Sequence, residues 1–552
     1  MPKPSVNSRK ITNSLLGSPV LIWQNPANRY VAPILKGNLM SLRLTSSALA
    51  LMAFAMPAFA DVTPEEVWQT WVDYYKSTGY TVTEGGHDLA GETLTLKDVK
   101  FANESDGDKV EFTVPQITLQ STGDGKVRTT YAESFPVSIS GKNADDEAFS
   151  TDLTVSLPGN STVTSGAKGD LVNEMSLPEL TVTVDKLQSG DKTQDLNVKF
   201  TATNSTGTAH TVAGAEGKYD YKMKSEKATI AISGEPDGPG KGDLNLNFAM
   251  DALDMDFTGL GMDAIAGAQA DLGAALEKGL SLAGTFKSGK TAFDFNVDKP
   301  ADAETQTEAE TVKGTGTIDA FDLTFKMSKD GLVYQGNGDK TAAQLTANSL
   351  PFPVTYGINS SSFDFQMPVA KSDADQPFKF AYSLNGLTLG DEIWNLFDPT
   401  KQLSRDPANL DIDITGKGKV VANLFDEKAL TGETDADGDE TAAAQPFEPS
   451  EVTINQLALS AVGAKVSATG TLKPAGDGGI ETPVGSLNAR YEGVNGLIDN
   501  LGKMGLIPDD QMAGVRMMLA MFARPADGND VLTTDLEFKE DGSVFANGQQ
   551  VK

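Results

Sequence analysis

Apolar residues recur at every second position through most of this chain, and that period of two constrains the fold more than any other feature. It is clear in Leu180/Val182/Val184, Leu196/Val198/Phe200, Ala228/Ile230/Ile232, Leu244/Leu246/Phe248/Met250, Leu323/Phe325/Met327, Phe378/Phe380/Tyr382, Leu410/Ile412/Ile414 and Leu457/Leu459. Such runs make strands with one apolar and one polar face. Between them stand turn signals, Gly123-Asp-Gly125, Asp237-Gly238, Asp330-Gly331, Asp477-Gly478 and Asp541-Gly542, which suit hairpins rather than crossovers. The expectation is a mainly β (α+β) protein built on a large curved antiparallel sheet with a few packing helices.

Helical patterns are few. Thr63, Pro64 and Glu66 form a capping box ahead of a stripe of Val67, Trp68, Trp71, Val72 and Tyr75, which reads as core, and Gly79 stands near the stop. A small-residue stretch from Met262 to Lys278, a short turn from Asp391 to Phe397, and a pair over Val494 to Leu506 and Pro508 to Ala523 complete the set. A terminal pair of this type caps the open end or concave face of a curved sheet. Lys299 to Val312 and Phe425 to Glu451 read as loops or linkers. The first places a division between a lobe over 61–300 and a lobe over 301–552, one continuous sheet being the alternative.

Residues 40–60 read as a secretory signal: Arg43 is basic, Leu44 to Met56 is apolar, Pro57 ends the helix, and Ala58-Phe-Ala60 offers the small residues of a cleavage site. Residues 1–39 then form an extension upstream of a start at Met40. The expected mature chain begins at Asp61 and resides in the periplasm, with association to the outer membrane left open. It holds no apolar run long enough to span a bilayer as a helix.

The formal charge of the whole chain is −31, and residues 1–60 contribute six basic and no acidic residues, so the mature part is still more anionic. That argues against nucleic acid and against electrostatic docking on anionic lipid, both of which attract Lys and Arg. With no cysteine in the chain, disulfides, thiolate catalysis and Cys-based metal sites are excluded.

Motifs that name a chemistry fail on context. Gly284-Thr-Phe-Lys-Ser-Gly289-Lys290-Thr291 fits the P-loop pattern, but a strand pattern, Ala292 to Val297, follows where a helix is needed, so Lys287 to Lys290 reads as a hairpin turn. Asp435-Ala-Asp437-Gly-Asp439 begins like a calcium loop, then has Glu440 at the Gly position and Pro446 where the closing Glu belongs. Gly279-Leu-Ser281-Leu-Ala283 resembles a nucleophile elbow at a helix-to-strand transition, the reverse of the required order. His87 and His210 read as exposed loop residues. No cofactor or metal ligand set is expected.

The segment Trp394-Asn-Leu-Phe-Asp398-Pro399, followed by Arg405-Asp406-Pro407 and a strand ending at Gly416, resembles the signature of domain-of-unknown-function family 2125 of the bacterial envelope. The Phe363 to Pro368 segment and the closing Asp541 to Gln549, with Asn547-Gly548, are also similar. The family implies no activity or catalytic residue. Its general look is similar, more distantly, to AsmA-like proteins associated with lipid homeostasis. Read from the residues alone, Trp394 is a buried anchor, Asp398-Pro399 a forced helix exit, and Asp406-Pro407 the entry to the next strand.

Together these features point to an exported, non-catalytic envelope protein with a structural role or an unknown protein partner. The alternative is binding or transfer of a lipid or other hydrophobic ligand in a groove. A hydrolase built on Ser281, His210 or a carboxylate is the least supported reading.

Overall fold

The computed structural model describes residues 61–77, 79–105, 107–142, 147–190, 192–212, 217–235, 242–261, 272–301, 308–425, 446–476 and 482–552. The signal segment and the Asp435 to Glu440 loop lie outside them. Among the described residues the strands form one antiparallel sheet of 27.

The sheet begins around helix α1 (Pro64–Ser77). Its capping box closes as the sequence predicts: Thr63 N–H donates to Glu66 Oε2 at 3.0 Å, and Glu66 N–H to Thr63 Oγ1 at 3.3 Å. The apolar stripe of α1 is buried among Leu94, Leu96, Val99, Phe101, Phe112 and Leu119. Tyr75 and Phe112 each lie 4.6 Å, centroid to centroid, from Phe101. Around this core run β1 (Thr81–Thr83), β2 (Gly86–Ala90), β3 (Thr93–Ser105), β4 (Asp108–Ser121), β5 (Val127–Tyr131), β6 (Ser134–Lys142), β7 (Ala148–Ser156), β8 (Ser161–Ala167) and β9 (Asp170–Ser189). From β4 two branches leave, β5–β8 and β6–β7, and both rejoin on β9.

Beyond β9 the chain is a plain meander. It continues through β10 (Lys192–Val212), β11 (Lys218–Glu235), β12 (Asp243–Leu260), helix α2 (Leu272–Glu277), β13 (Ser281–Ser288), β14 (Thr291–Lys299), β15 (Glu310–Ile318), β16 (Ala320–Ser328), β17 (Gly331–Ala347), β18 (Val354–Met367) and β19 (Gln376–Leu389). Then come α3 (Asp391–Phe397), β20 (Ala408–Val420), β21 (Phe447–Ala461), β22 (Ala464–Pro474) and β23 (Pro483–Glu492). The chain closes with α4 (Val494–Lys503), α5 (Asp509–Phe522), β24 (Arg524–Pro525), β25 (Val531–Phe538), β26 (Val544–Ala546) and β27 (Gln549–Gln550). Residues Thr291 to Lys299 pair with Ile318 to Glu310, so the sheet runs unbroken past residue 300.

A crease crosses these strands near their middles. Asp98, Asn204, Ala252 and Lys340 sit inside β3, β10, β12 and β17 with φ of 48°, 49°, 51° and 41°. Each left-handed residue turns the strand sharply, at about 1 kcal/mol or more for a side chain other than glycine. The expected hairpin at Lys287 to Lys290 is corrected here. β13 and β14 do not pair with each other; they lie end to end along β12 as one bent strand, with Gly289 and Lys290 at the crease. Gly289 N–H donates to Asp251 O at 2.7 Å and Asp251 N–H to Lys290 O at 3.0 Å, so the ladder carries across the bend. β15 and β16 repeat the arrangement along β17, with the break at Asp319.

One face of the sheet is the inside of this bend. Residues flanking the crease on it are buried, among them Ala202, Ser205, Ser225, Ala228, Leu253, Ser288 and Thr291. The small polar groups pair locally, as in the 2.8 Å Ser205–Ser225 hydrogen bond. Ala202 also belongs to the core around α1, so the face that holds α1 is the one that continues down the meander.

Candidate functional site

The register shows what that inner face carries past the N-terminal core. Directly paired residues share a face. One row runs Ala209–Tyr221–Phe257–Gly284–Phe325–Tyr334–Phe365–Phe380–Ile414–Ile454–Gly470–Leu487–Leu536–Ala546. The next runs Met223–Met255–Phe286–Leu323–Gly336–Phe363–Tyr382–Ile412–Leu457. At about 4.8 Å per strand the longer row extends about 60 Å. Every member is apolar, tyrosine or glycine.

Glycine has a steric part in these rows. Phe363 lies over Gly336, where an added Cβ would come within 2.4 Å of the ring, and Phe293 and Phe295 lie likewise over Gly316 and Gly314. A ring laid flat on a neighbour without a side chain keeps the surface smooth and apolar.

Only part of this face is covered. Helix α2 and Val369, Leu424 and Phe425 close it over Leu282, Phe325, Met327 and Leu332. Farther along, Phe380 is 43% and Leu459 50% exposed, and Tyr334, Phe365, Leu457 and Val466 are exposed beside them. The result is an apolar channel wall, filled by α1 at one end, partly roofed by α2, and open over its last strands.

The outer face is polar and carries a hollow of about 480 Å³ lined by Asp322, Gln335, Asp364, Lys379, Asp411 and Asp413. Its carboxylates are engaged sideways: Asp364 accepts from Lys379 at 2.8 Å, Asp411 from Ser383 at 2.6 Å, and Asp322 from Asn337 at 2.9 Å. Burial opposes ionisation of Asp364, but Lys379, Gln366 and Gln335 outweigh it and hold the carboxyl below its usual range. Among the described residues no group of three or more His, Asp or Glu is placed to hold a metal ion.

Ser281 and His210 are not brought together. Ser281 pairs with Leu260 of β12, whereas His210 lies on β10, with β11 between those two strands. Both histidines prove to be strand residues with carboxylates beside them, which corrects the loop expectation. His87, in β2, reaches Glu84 at 2.6 Å and Glu65 at 2.8 Å; His210 faces Asp220 at 3.5 Å and Asp170 at 3.6 Å. A lone histidine amid Gly and Thr gives no sign of such partners, because Glu65 is 22 residues away.

The signature residues form a structural knot at one rim of the sheet. Trp394 is buried in α3, with the Arg405 guanidinium 5.6 Å from its ring centroid. Arg405 Nη1 donates to Asp391, and Nη2 to Asn395 at 3.2 Å and Asp398 O at 3.1 Å. Asp398 has no exposed surface, caps α3, and accepts from the Gln402 and Leu403 N–H groups at 2.7 and 2.9 Å. Burial disfavours its charge, yet those N–H donors and Arg405 prevail and keep its carboxyl below the ordinary value. Pro399 follows in the turn, and Asp406 accepts from Ser404 Oγ just ahead of Pro407 and β20. Gly416 lies beneath Phe378, where a Cβ would come within 2.5 Å of the ring. Asn547 and Gly548, with φ of 51° and 82°, make the turn between β26 and β27, and Asn547 Nδ2 donates to Phe522 O at 2.9 Å. None of these residues faces the outer hollow.

No curated protein matches this sequence. A solved structure, the alcaligin outer membrane receptor FauA from Bordetella pertussis, is similar at 8% identity over 85% of this chain and 68% of that one, with a TM-score of 0.14. That score is too low to bear on the fold. The knot, the open part of the rows from Tyr334 onward and the Asn547 turn all fall within residues 291–551, which match the family described as uncharacterized protein conserved in bacteria, DUF2125. Over that segment the chain is similar to this family.

Proposed function

We propose that this protein acts without chemistry in the cell envelope, holding a lipid or another long hydrophobic ligand against the inner face of its creased sheet. The open part of the apolar rows, from Tyr334 through Phe365 and Phe380 to Leu457 and Leu459, carries this reading. Withdrawing each such side chain from water is worth on the order of 1 kcal/mol, so an extended apolar ligand laid across several strands has ample driving force. The row geometry suits a chain-like molecule rather than a compact one. The signal segment at 40–60 supports the envelope as its place, and no described helix is long and apolar enough to cross a membrane.

The test is mass spectrometry of lipids that accompany the gently purified protein. Stoichiometric lipid, lost in Phe365→Asp/Phe380→Asp while circular dichroism is unchanged, is the expected result. Protein that comes away empty, and takes up no fluorescent fatty acid, would sink the proposal.

A further inference from the structure

The register places α3, α4 and α5 at a single rim of the sheet. Asn409, which follows α3, pairs with Ser460; Lys465, just past the next turn, pairs with Glu492; and Glu492 pairs with Val531. The loops that carry the three helices therefore leave the same edge. Gly493 N–H donates to Asp530 O at 2.9 Å and closes the base of the last one.

This rim bears the most exposed large apolar side chains of the described residues: Met517 at 66%, Leu396 at 65%, Met518 at 63% and Leu506 at 60%. Met521 and Phe522 are exposed as well, and no residue of α5 is buried. The charges of α5 stop early. Asp509 and Asp510 lie in its first turn and Arg516 is paired with Asp499, after which Met517-Met-Leu-Ala-Met-Phe522 has none. At 100° per residue, the exposed Met517, Met518, Met521 and Phe522 cover an arc of about 140°.

A protein groove takes one narrow stripe of a helix, whereas an arc this wide, ending without charge, suits a medium that surrounds it. The charges nearby are of both signs, Asp391, Glu392, Asp509 and Asp510 beside Lys503, Arg516 and Arg524, and Asp391, Arg516 and Arg524 are held in ion pairs, so the rim offers no basic patch to draw anionic headgroups. We propose that this rim docks on a bilayer of electrically neutral lipids, with the last two turns of α5, Leu506 and Leu396 set among the headgroups. Leu459 and Val466, at the open end of the apolar face, flank the β21–β22 turn of the same rim. Docking there brings the open face to its source of ligand, and this consequence alone rests on the function proposed above.

Flotation of the full chain with phosphatidylcholine/phosphatidylethanolamine vesicles tests the proposal. Wild type is expected to float, equally at low and high salt, and Met517→Asp/Met518→Asp/Met521→Asp to lose about tenfold in bound fraction while still carrying co-purified lipid. Leu396→Ser/Leu506→Ser, which leaves α5 intact, is expected to weaken flotation in the same direction. Wild type that stays at the bottom, or a triple variant that floats as well as wild type, overturns it. A wild-type dimer that the triple variant converts to monomer, without flotation of either, overturns it in favour of a second copy of the chain. Lipid retained by a protein that does not float leaves the binding function standing and removes only the docking.

Discussion

At the scale of single residues, charge placement near the N-terminus has a measurable consequence. Hydrogen bonds from His87 to Glu65 and Glu84, opposed by slight burial, raise its pKa. Since the raised value belongs to the folded state, the added stability is complete below about pH 6.5 and disappears as the pH climbs through the folded-state pKa. Screening of this exposed site keeps it under about 1 kcal/mol. Melting curves of wild type and His87→Gln should therefore differ at pH 5.5 and converge by pH 8.5. Asp398 runs the other way: its depressed pKa gives stability present above about pH 4 and lost as the pH falls through the folded value. Asp398→Asn should lower the melting temperature at neutral pH and blunt this acid dependence. Gly336→Ala puts a Cβ within 2.4 Å of the Phe363 ring, and denaturant melts should show a loss of about 1–3 kcal/mol.

At the scale of elements, strands and helices were legible because they rest on local periodicity, and α1, α3, α4 and α5 all fall where capping and spacing place them. The crease was not. It depends on backbone dihedrals at Ala252 and Lys340, residue types with no preference for φ above zero, so nothing in the sequence marks them. Ser288-Gly289-Lys290 misled for a related reason: a corner and a hairpin turn use the same residues, and only the partner strand tells them apart. The candidate site was half legible. Alternation in each strand was visible, but that Phe365, Phe380 and Ile414 share one row is a matter of register. Ala252→Gly relieves the left-handed strain and should stabilise by up to about 1 kcal/mol, whereas Ala252→Val should destabilise, both read by thermal melts. Gly514→Ala, in a helix with open space around the new methyl, should also stabilise by up to about 1 kcal/mol.

At the scale of the whole molecule, a sheet with so much apolar surface facing water needs something to keep copies apart, and the formal charge of −31 supplies it. Light scattering should show self-association as the pH falls from 7 toward the carboxylate range, because repulsion fades while the apolar rows remain. The meander bears on how such a molecule comes into being. From β10 to β22, counting β13–β14 and β15–β16 each as one bent strand, every strand finds its partners in its immediate chain neighbours, and the densest core is already complete around α1 by β10. A chain delivered N-terminus first can thus zip onto a finished nucleus one hairpin at a time, never waiting for a distant segment to close a pair. Growth of this kind has no natural stopping point in the backbone. Length, and with it the span of the apolar rows, can then change by adding or deleting hairpins, without redesign of what was built before.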